Sequence, residues 1–253
     1  MTARGTRHTR LLAALCVLVG AAACTSPTAG PTTLTVLAAS SLSRVLPGLG
    51  AAFEADHPGT RVVFSFGASS RLSQQVRAGA PADVFVSASA TVMRQVVEAG
   101  DVAAPRVVAQ NAARVAVYPP SAVRISTLAD LAEPGVKVAL CQPQVPCGSL
   151  AQQVLAKAGV RVNPVTQGLD AASTLATVVS GEVDAAIVYV TDVRAAGSTV
   201  VGVDIPTADN ATTAYEVATI RTTKQADLAE EFGDLLLSAV GQRALSAAGF
   251  QAP

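Results

Sequence analysis

The stretch LTVLAASSL at residues 34–42 passes from an apolar run of strand length to two serines and then into a helical pattern. Apolar residues continue that pattern at helical spacing, at Leu42, Val45, Leu46, Leu49 and Phe53. A strand that leads directly into a helix is the repeating unit of α/β proteins. Residues 34–53 therefore predict the first unit of such a fold.

The alternation recurs along the rest of the chain. Further strands are predicted at residues 61–66, 83–87, 107–109, 114–118, 136–140, 183–190 and 215–220. Helical patterns begin near Ser69, Val92, Leu128, Leu150 and Asp170, and two more cover residues 228–240 and 244–248. Together they predict an α/β fold with mixed, mostly parallel sheets and helices on both faces. The pair Pro119-Pro120 breaks the pattern and indicates a crossing into a second lobe.

The composition excludes several classes of protein. Of the 253 residues, 50% are hydrophobic and only 14% are charged, and the formal net charge is zero. A polybasic nucleic-acid binder and a disordered acidic tail both need dense charge of one sign, so neither is expected. The length fits one large domain or two small lobes.

The N-terminus has the features of an export signal. Three arginines within the first ten residues precede an uncharged apolar run at residues 11–23. The run is shorter than the ~20 apolar residues that a membrane-spanning helix needs, so residues 1–23 are predicted to be a cleaved signal peptide. Cleavage removes the three arginines, which leaves 15 basic residues (18 − 3) against 18 acidic ones. The exported chain is therefore slightly acidic.

Cys24 directly follows small residues and precedes a tether rich in Pro, Thr, Ser and Gly. This arrangement resembles the signal of bacterial lipoproteins, which implies that Cys24 is lipidated and that residues 24–33 form the lipidated cysteine and its flexible tether. The protein is then expected on the outer face of the cytoplasmic membrane. An ordinary cleaved signal with an incidental cysteine is the alternative.

Two further cysteines, Cys141 and Cys147, remain in the exported chain and are close together in sequence. In an oxidising compartment such a pair is expected to form a disulfide. Metal binding is the alternative, but two cysteines without a nearby histidine provide too few ligands.

Small and polar residues gather where predicted helices begin. They are Ser40-Ser41, Ser69-Ser70, Cys147-Gly148-Ser149 and Asp170-Ala171-Ala172. Free backbone N–H groups and the positive end of the helix dipole lie at such positions. Several of them converging on one cleft would form a cage for a small anion. Ordinary helix capping explains each of them individually.

Enzymatic alternatives are weaker. The exported chain keeps a single histidine, His57, which is predicted to lie solvated in an exposed turn. Asp83, at the start of a strand after a proline turn, is interpreted as structural rather than as a general base. Neither a phosphate-binding loop with lysine nor a dinucleotide fingerprint is present, so no cofactor is expected. A lipid-anchored serine hydrolase using Ser41 or Ser69 remains an alternative, but it lacks a base.

Five segments resemble the periplasmic molybdate-binding proteins of ABC transporters. They are LAASSL at 37–42, FGASSRL at 66–72, AGAPADVFVSA at 78–88, VPCG at 145–148 and AIVY at 186–189. The resemblance implies a two-lobed type II periplasmic binding protein fold with the ligand between the lobes. We expect lobe 1 to comprise residues 34–115 and 217–253, and lobe 2 to comprise residues 116–216.

The resemblance also implies a ligand set for molybdate or tungstate. Ser41 and Ser69 would give hydroxyl and backbone N–H donors, Cys147 and Ala171 backbone N–H groups, and Tyr189 its hydroxyl. The family usually has a small residue other than cysteine at position 147. The expected partners are the oxyanion, a membrane permease and the membrane itself through the lipid, with the protein a monomer. A carrier for another oxyanion such as sulfate, and a surface sensor or adhesin, are the alternatives.

Overall fold

The computed structural model describes residues 1–2, 30–121 and 123–253. Cys24, nearly all of the predicted signal peptide and most of the tether lie outside these residues. No helix in the described ranges reaches the length and apolar character that crossing a membrane requires.

The described residues form nine strands and eight α-helices. The strands are β1 (Thr32–Ala39), β2 (Thr60–Gly67), β3 (Val84–Ser87), β4 (Val102–Val117), β5 (Val138–Cys141), β6 (Thr166–Gly168), β7 (Ala185–Tyr189), β8 (Val201–Val203) and β9 (Thr212–Ile220). The helices are α1 (Leu46–Asp56), α2 (Ser69–Arg77), α3 (Ala90–Glu98), α4 (Pro146–Ala158), α5 (Ala171–Val179), α6 (Val190–Ala196), α7 (Ala226–Leu237) and α8 (Ala239–Ala248). Short 3₁₀ helices cover Ser40–Leu42, Ala129–Ala132 and Gly197–Thr199.

The sheet is mixed, in the order β2-β1-β3-β9-β4-β7-β5-β6, with β8 also paired to β4. Parallel pairing joins β1 to β2 and β3, and joins β5 to β6 and β7. The pairings of β4 and β9 are antiparallel. The prediction of an α/β fold is confirmed, but the sheet is not mostly parallel: four strand pairings are parallel and four are antiparallel, with the antiparallel ones at the centre of the sheet.

Strand β4 connects the two halves of the sheet. It pairs with β9 over residues 102–112 and with β7 over residues 113–117. The sequence predicts two separate extended segments here, whereas the structure has one strand of 16 residues. A register shift between Ala103 and Arg106 accommodates Pro105, which cannot donate to the ladder.

The predicted apolar stripe after β1 is buried, but its helix begins later than predicted. All five of its residues, from Leu42 to Phe53, belong to one core cluster. The 3₁₀ helix Ser40–Leu42 precedes α1, which starts only at Leu46, with Pro47 in its first turn. The first turn after β1 is therefore tighter than an α-helix, and it leaves the two serines beside the end of the strand.

Several other elements differ from the sequence prediction. The predicted helix 228–240 divides at Ser238, whose hydroxyl accepts from the Gly241 N–H at 3.2 Å and caps α8. The predicted strand 183–190 ends at Tyr189, and α6 begins at once. Strands β6 and β8 were missed because three residues each carry no detectable period.

Asp83 and His57 both have structural partners. One carboxylate oxygen of Asp83 accepts from the Thr35 N–H at 2.7 Å, and the other accepts from the Thr223 hydroxyl, which fits the structural interpretation. His57 lies in the turn after α1, as predicted, but its side chain is paired and only 28% exposed. Its ring stacks on Phe53 and its Nε2 lies 2.8 Å from the Glu231 carboxylate, because α7 packs beside the end of α1.

Candidate functional site

A small cavity lies where the two halves of the sheet present the beginnings of their helices. The free space inside it is about 10 Å³, room for roughly one water-sized sphere and far below the ~300–1,000 Å³ of pockets for drug-sized ligands. The lining residues are Ala39, Ser40, Ser41, Gly67, Ala68, Ser69, Ala88, Val145, Pro146, Cys147, Asp170, Ala171 and Tyr189. The structure thus brings all five predicted ligand residues to one cavity of a size suited to a small ion.

Three α-helices begin at this cavity. Ser69 and Ala171 are the first residues of α2 and α5, and Cys147 is the second residue of α4. The N–H groups in the first turn of a helix have no carbonyl partner within that helix. The positive ends of the three dipoles therefore favour an anion at this place.

Ser69 is oriented as a hydrogen-bond donor. Its side-chain oxygen accepts from the Ala88 N–H at 2.9 Å, and the residue is 1% exposed. The N-cap of α2 is Ala68, without a side-chain capping bond, so the capping interpretation does not apply to Ser69. Since an amide proton already approaches its oxygen, the hydroxyl proton is free to donate towards the cavity.

Tyr189 contributes a second hydroxyl. The residue is 2% exposed, and its hydroxyl oxygen has no hydrogen-bond partner within the part of the chain that the structure describes. Burial raises the pKa of Tyr189 well above its usual value, so the group stays a neutral donor. An unpaired buried hydroxyl is costly and calls for a partner that enters the cavity.

Ser41, next to Ser40, also lines the cavity. Its oxygen lies 2.6 Å from the hydroxyl of Tyr215, a fully buried residue of β9 that sequence reasoning missed as part of the site. Ser41 lies in the 3₁₀ helix Ser40–Leu42, which follows directly on β1.

The cavity and the donors that line it form a cage without a cationic side chain. Among the described residues that line the cavity, none is lysine, arginine or histidine. Its one carboxylate, on Asp170, accepts from the Ser173 N–H at 2.8 Å in a capping box that starts α5. For Asp170, the interpretation as an ordinary helix cap is therefore correct. Because His57 is bonded to Glu231 and does not line the cavity, the site lacks the base that a hydrolase needs.

A disulfide holds one wall of the cavity. It joins Cys141, the last residue of β5, to Cys147, as the cysteine arrangement predicts, with the two Cα atoms 5.7 Å apart. Gly148 packs so closely that an added Cβ would collide with the Gln142 carbonyl oxygen. The start of α4, and with it the Cys147 N–H, is therefore fixed against the end of β5.

A buried acid behind the cavity was also missed. Asp192 accepts from the Tyr189 N–H at 3.0 Å and is 7% exposed. Burial raises the pKa of Asp192 to about 7, and the nearby charge of Asp170 adds to the rise, while the Tyr189 N–H opposes it. An acid three residues after a strand end is the capping spacing, and this signal could have located the start of α6.

Comparisons with known proteins agree with this geometry. A family model described as bacterial extracellular solute-binding protein matches residues 34–251. The molybdate-binding protein ModA of Mycobacterium tuberculosis is 36% identical over 228 residues, covering 90% of this chain and 87% of that protein.

Two solved structures share the fold. The periplasmic molybdate-binding protein of Azotobacter vinelandii has a TM-score of 0.77 at 22% identity, over 87% of this chain and 99% of that one. The sulfate-binding protein SubI of M. tuberculosis has a TM-score of 0.75 at 21% identity, over 87% of each chain.

The raised pKa of Asp192 predicts a pH-dependent stability. Between about pH 4 and pH 7 the unfolded chain loses this proton while the folded chain keeps it. The free energy of unfolding of the wild type should therefore fall, relative to that of Asp192→Asn, by roughly 2–4 kcal/mol as the pH rises through this window, and then stay level. Urea denaturation at a series of pH values measures the difference. Asp227→Asn, at an exposed position in α7, is the control, and a pH-independent difference for Asp192→Asn would contradict the prediction.

Proposed function

Since the chain belongs to the bacterial extracellular solute-binding protein family, we propose that its cavity captures molybdate or tungstate outside the cytoplasm for import by an ABC transporter. The observation that carries the proposal is the small cavity itself, where three helix N-termini and four hydroxyl-bearing residues meet without a cation. The similarity to ModA of M. tuberculosis supports molybdate as the ligand. The protein binds a solute and is not an enzyme, so it needs no cofactor.

The chemistry of the cage suits a fully ionised oxyanion. Molybdate and tungstate are dianions without a proton at neutral pH, so every oxygen can accept. A protonated anion would direct its own O–H at a donor and leave two protons facing each other. Because molybdate and tungstate are nearly the same size, the cage should hardly separate them, whereas the smaller sulfate would leave long hydrogen bonds.

Sulfate is the second candidate. The fold is shared with the sulfate-binding protein SubI, so the fold alone does not choose between the two ligands. The identity to ModA favours molybdate, and a direct comparison of the anions decides between them.

The two predicted lobes would close on the anion from opposite sides. Ser41 and Ser69 belong to the proposed lobe of residues 34–115 and 217–253. Cys147, Ala171 and Tyr189 belong to the proposed lobe of residues 116–216. The change of partner of β4, from β9 to β7 at residues 112–113, lies close to the proposed boundary and supports it.

The anion preference tests the proposal. We expect the purified chain, without its signal, to bind molybdate and tungstate in titration calorimetry at least about tenfold more tightly than sulfate, since short hydrogen bonds are lost for the smaller anion. Sulfate affinity equal to or above that of molybdate would overturn the molybdate assignment.

Ser69→Ala removes one donor from the cage. We expect molybdate binding to weaken by roughly 1.5–3 kcal/mol, the range for a hydrogen bond to a charged group. Ser70→Ala is the matched control, because Ser70 is the next residue of α2 and does not line the cavity. Circular dichroism would check that both variants are folded. An affinity in Ser69→Ala equal to that of the control would show that Ser69 does not hold the ligand.

We also propose that Cys24 carries a lipid and that the carrier works as a monomer on the outer face of the cytoplasmic membrane. The small residues before Cys24 and the tether after it support this. Cys24→Ala should move the protein from the membrane fraction to the soluble exported fraction, as blotting would detect. Cys16→Ala is the control, because Cys16 leaves with the signal and its loss should change nothing. Membrane retention of Cys24→Ala would contradict lipidation.

A further inference from the structure

We propose that Tyr215 and Asn111 are positioning residues that fix the direction of the hydrogen bond at Ser41, so that the Ser41 hydroxyl can only donate to the bound anion. The proposal rests on the proposed function and concerns how the same cavity selects among oxyanions. It starts from a chain of buried side chains that leads from β4 through β9 to the cavity.

The direction is set at Asn111, which is fully buried on β4. Its side-chain oxygen accepts from the Ala112 N–H at 3.0 Å, and a backbone N–H can only donate. The amide NH₂ must therefore face the other way. It donates to the Thr191 hydroxyl oxygen at 2.8 Å and to the Tyr215 hydroxyl oxygen at 3.4 Å.

The orientation of Asn111 in turn determines which way the Tyr215 hydroxyl donates. Its oxygen accepts from Asn111, so its own proton must go to another acceptor, and the Ser41 oxygen lies 2.6 Å away. Burial raises the pKa of Tyr215 well above its usual value, so the phenol keeps this proton.

Ser41 then has only one use for its own proton. Its oxygen accepts from Tyr215 with one lone pair, and turning the second lone pair to the ligand would turn the proton away from the cavity, where the described residues offer it no other acceptor. The Ser41 proton therefore points to the anion. Ser69 is directed in the same sense, but by the Ala88 backbone N–H, which no substitution of a side chain removes. The direction at Ser41, by contrast, depends on two side chains outside the cavity lining.

The consequence concerns protonated anions. Without the Tyr215 hydroxyl, nothing holds the Ser41 hydroxyl in this rotation, so it can turn and present a lone pair to a proton on the ligand. Arsenate is the suitable probe, because it is tetrahedral, is larger than sulfate and retains at least one proton at neutral pH. A cage with a directed Ser41 should reject it more strongly than a cage in which Ser41 can turn.

Tyr215→Phe tests the proposal with little change of packing, because the ring retains its edge-on contacts with Tyr189 and Phe250. Calorimetric or competition titrations give the affinities for molybdate and arsenate. We expect molybdate binding to weaken and the molybdate-to-arsenate affinity ratio to fall by about tenfold or more. Tyr118→Phe, whose hydroxyl lies outside the cavity lining, should leave the ratio unchanged.

Two further variants separate positioning from a general loss of stability. Asn111→Ala removes the donor that directs Tyr215 and should lower the ratio in the same sense. In a Ser41→Ala background, Tyr215→Phe should no longer change the ratio, because the group through which it acts is gone. A ratio that is unchanged in Tyr215→Phe, or that falls equally in the Ser41→Ala background, would overturn the proposal. Failure of the wild type to bind molybdate would instead refute the proposed function.

Discussion

The antiparallel pairing of β4 with β9 is the contact on which the rest of the structure depends. Because β4 leaves β9 after Ala112 and continues beside β7, it joins two groups of parallel strands into one sheet. The carboxyl ends of β1 and β2 then lie near those of β5, β6 and β7, and α2, α4 and α5 all begin at the cavity between them. Both strands also supply buried polar side chains, Asn111 and Tyr215, directly behind the cavity.

The choice of neutral donors has a thermodynamic reason. A lysine or arginine in this small cavity would be a buried, unpaired charge whenever the ligand is absent, and such charges are expensive. When the ligand is absent, helix N-termini and hydroxyl groups leave only neutral donors unpaired, which costs much less free energy than an unpaired buried charge. Neutral donors hold an anion only if each hydroxyl proton points into the cavity. At Ser69 a backbone amide sets this direction, and at Ser41 the Tyr215 hydroxyl sets it.

Much of the fold and of the candidate site could be predicted from the sequence. The strand–helix junctions point to Ser41, Ser69, Cys147 and Ala171, although ordinary capping explains each one alone. Only the resemblance to the molybdate-binding proteins joins them with Tyr189 into one ligand set, and the structure places all five at the same cavity.

The parts that were missed depend on contacts between distant segments or on very short ones. Asn111 and Tyr215 are 104 residues apart, and nothing in either local pattern predicts their hydrogen bond. Helix α6 was hidden because Val190 continues the apolar run of β7. The pairing of His57 was missed because its partner, Glu231, lies in a helix near the other end of the chain.

The disulfide beside the cage has a consequence for reversibility. Thiolates are soft ligands that bind many transition metals through metal–sulfur bonds. A free Cys147 thiol next to a captured molybdate could exchange with one of its oxygen atoms: a Mo–S bond would form, and the oxygen would leave as water with the thiol proton and a proton from solvent. The ion would then be held covalently. With both sulfurs bonded to each other, the wall of the cavity offers only an amide proton from position 147. A carrier must release its ligand as well as bind it, and the disulfide between Cys141 and Cys147 keeps the binding of the oxyanion noncovalent.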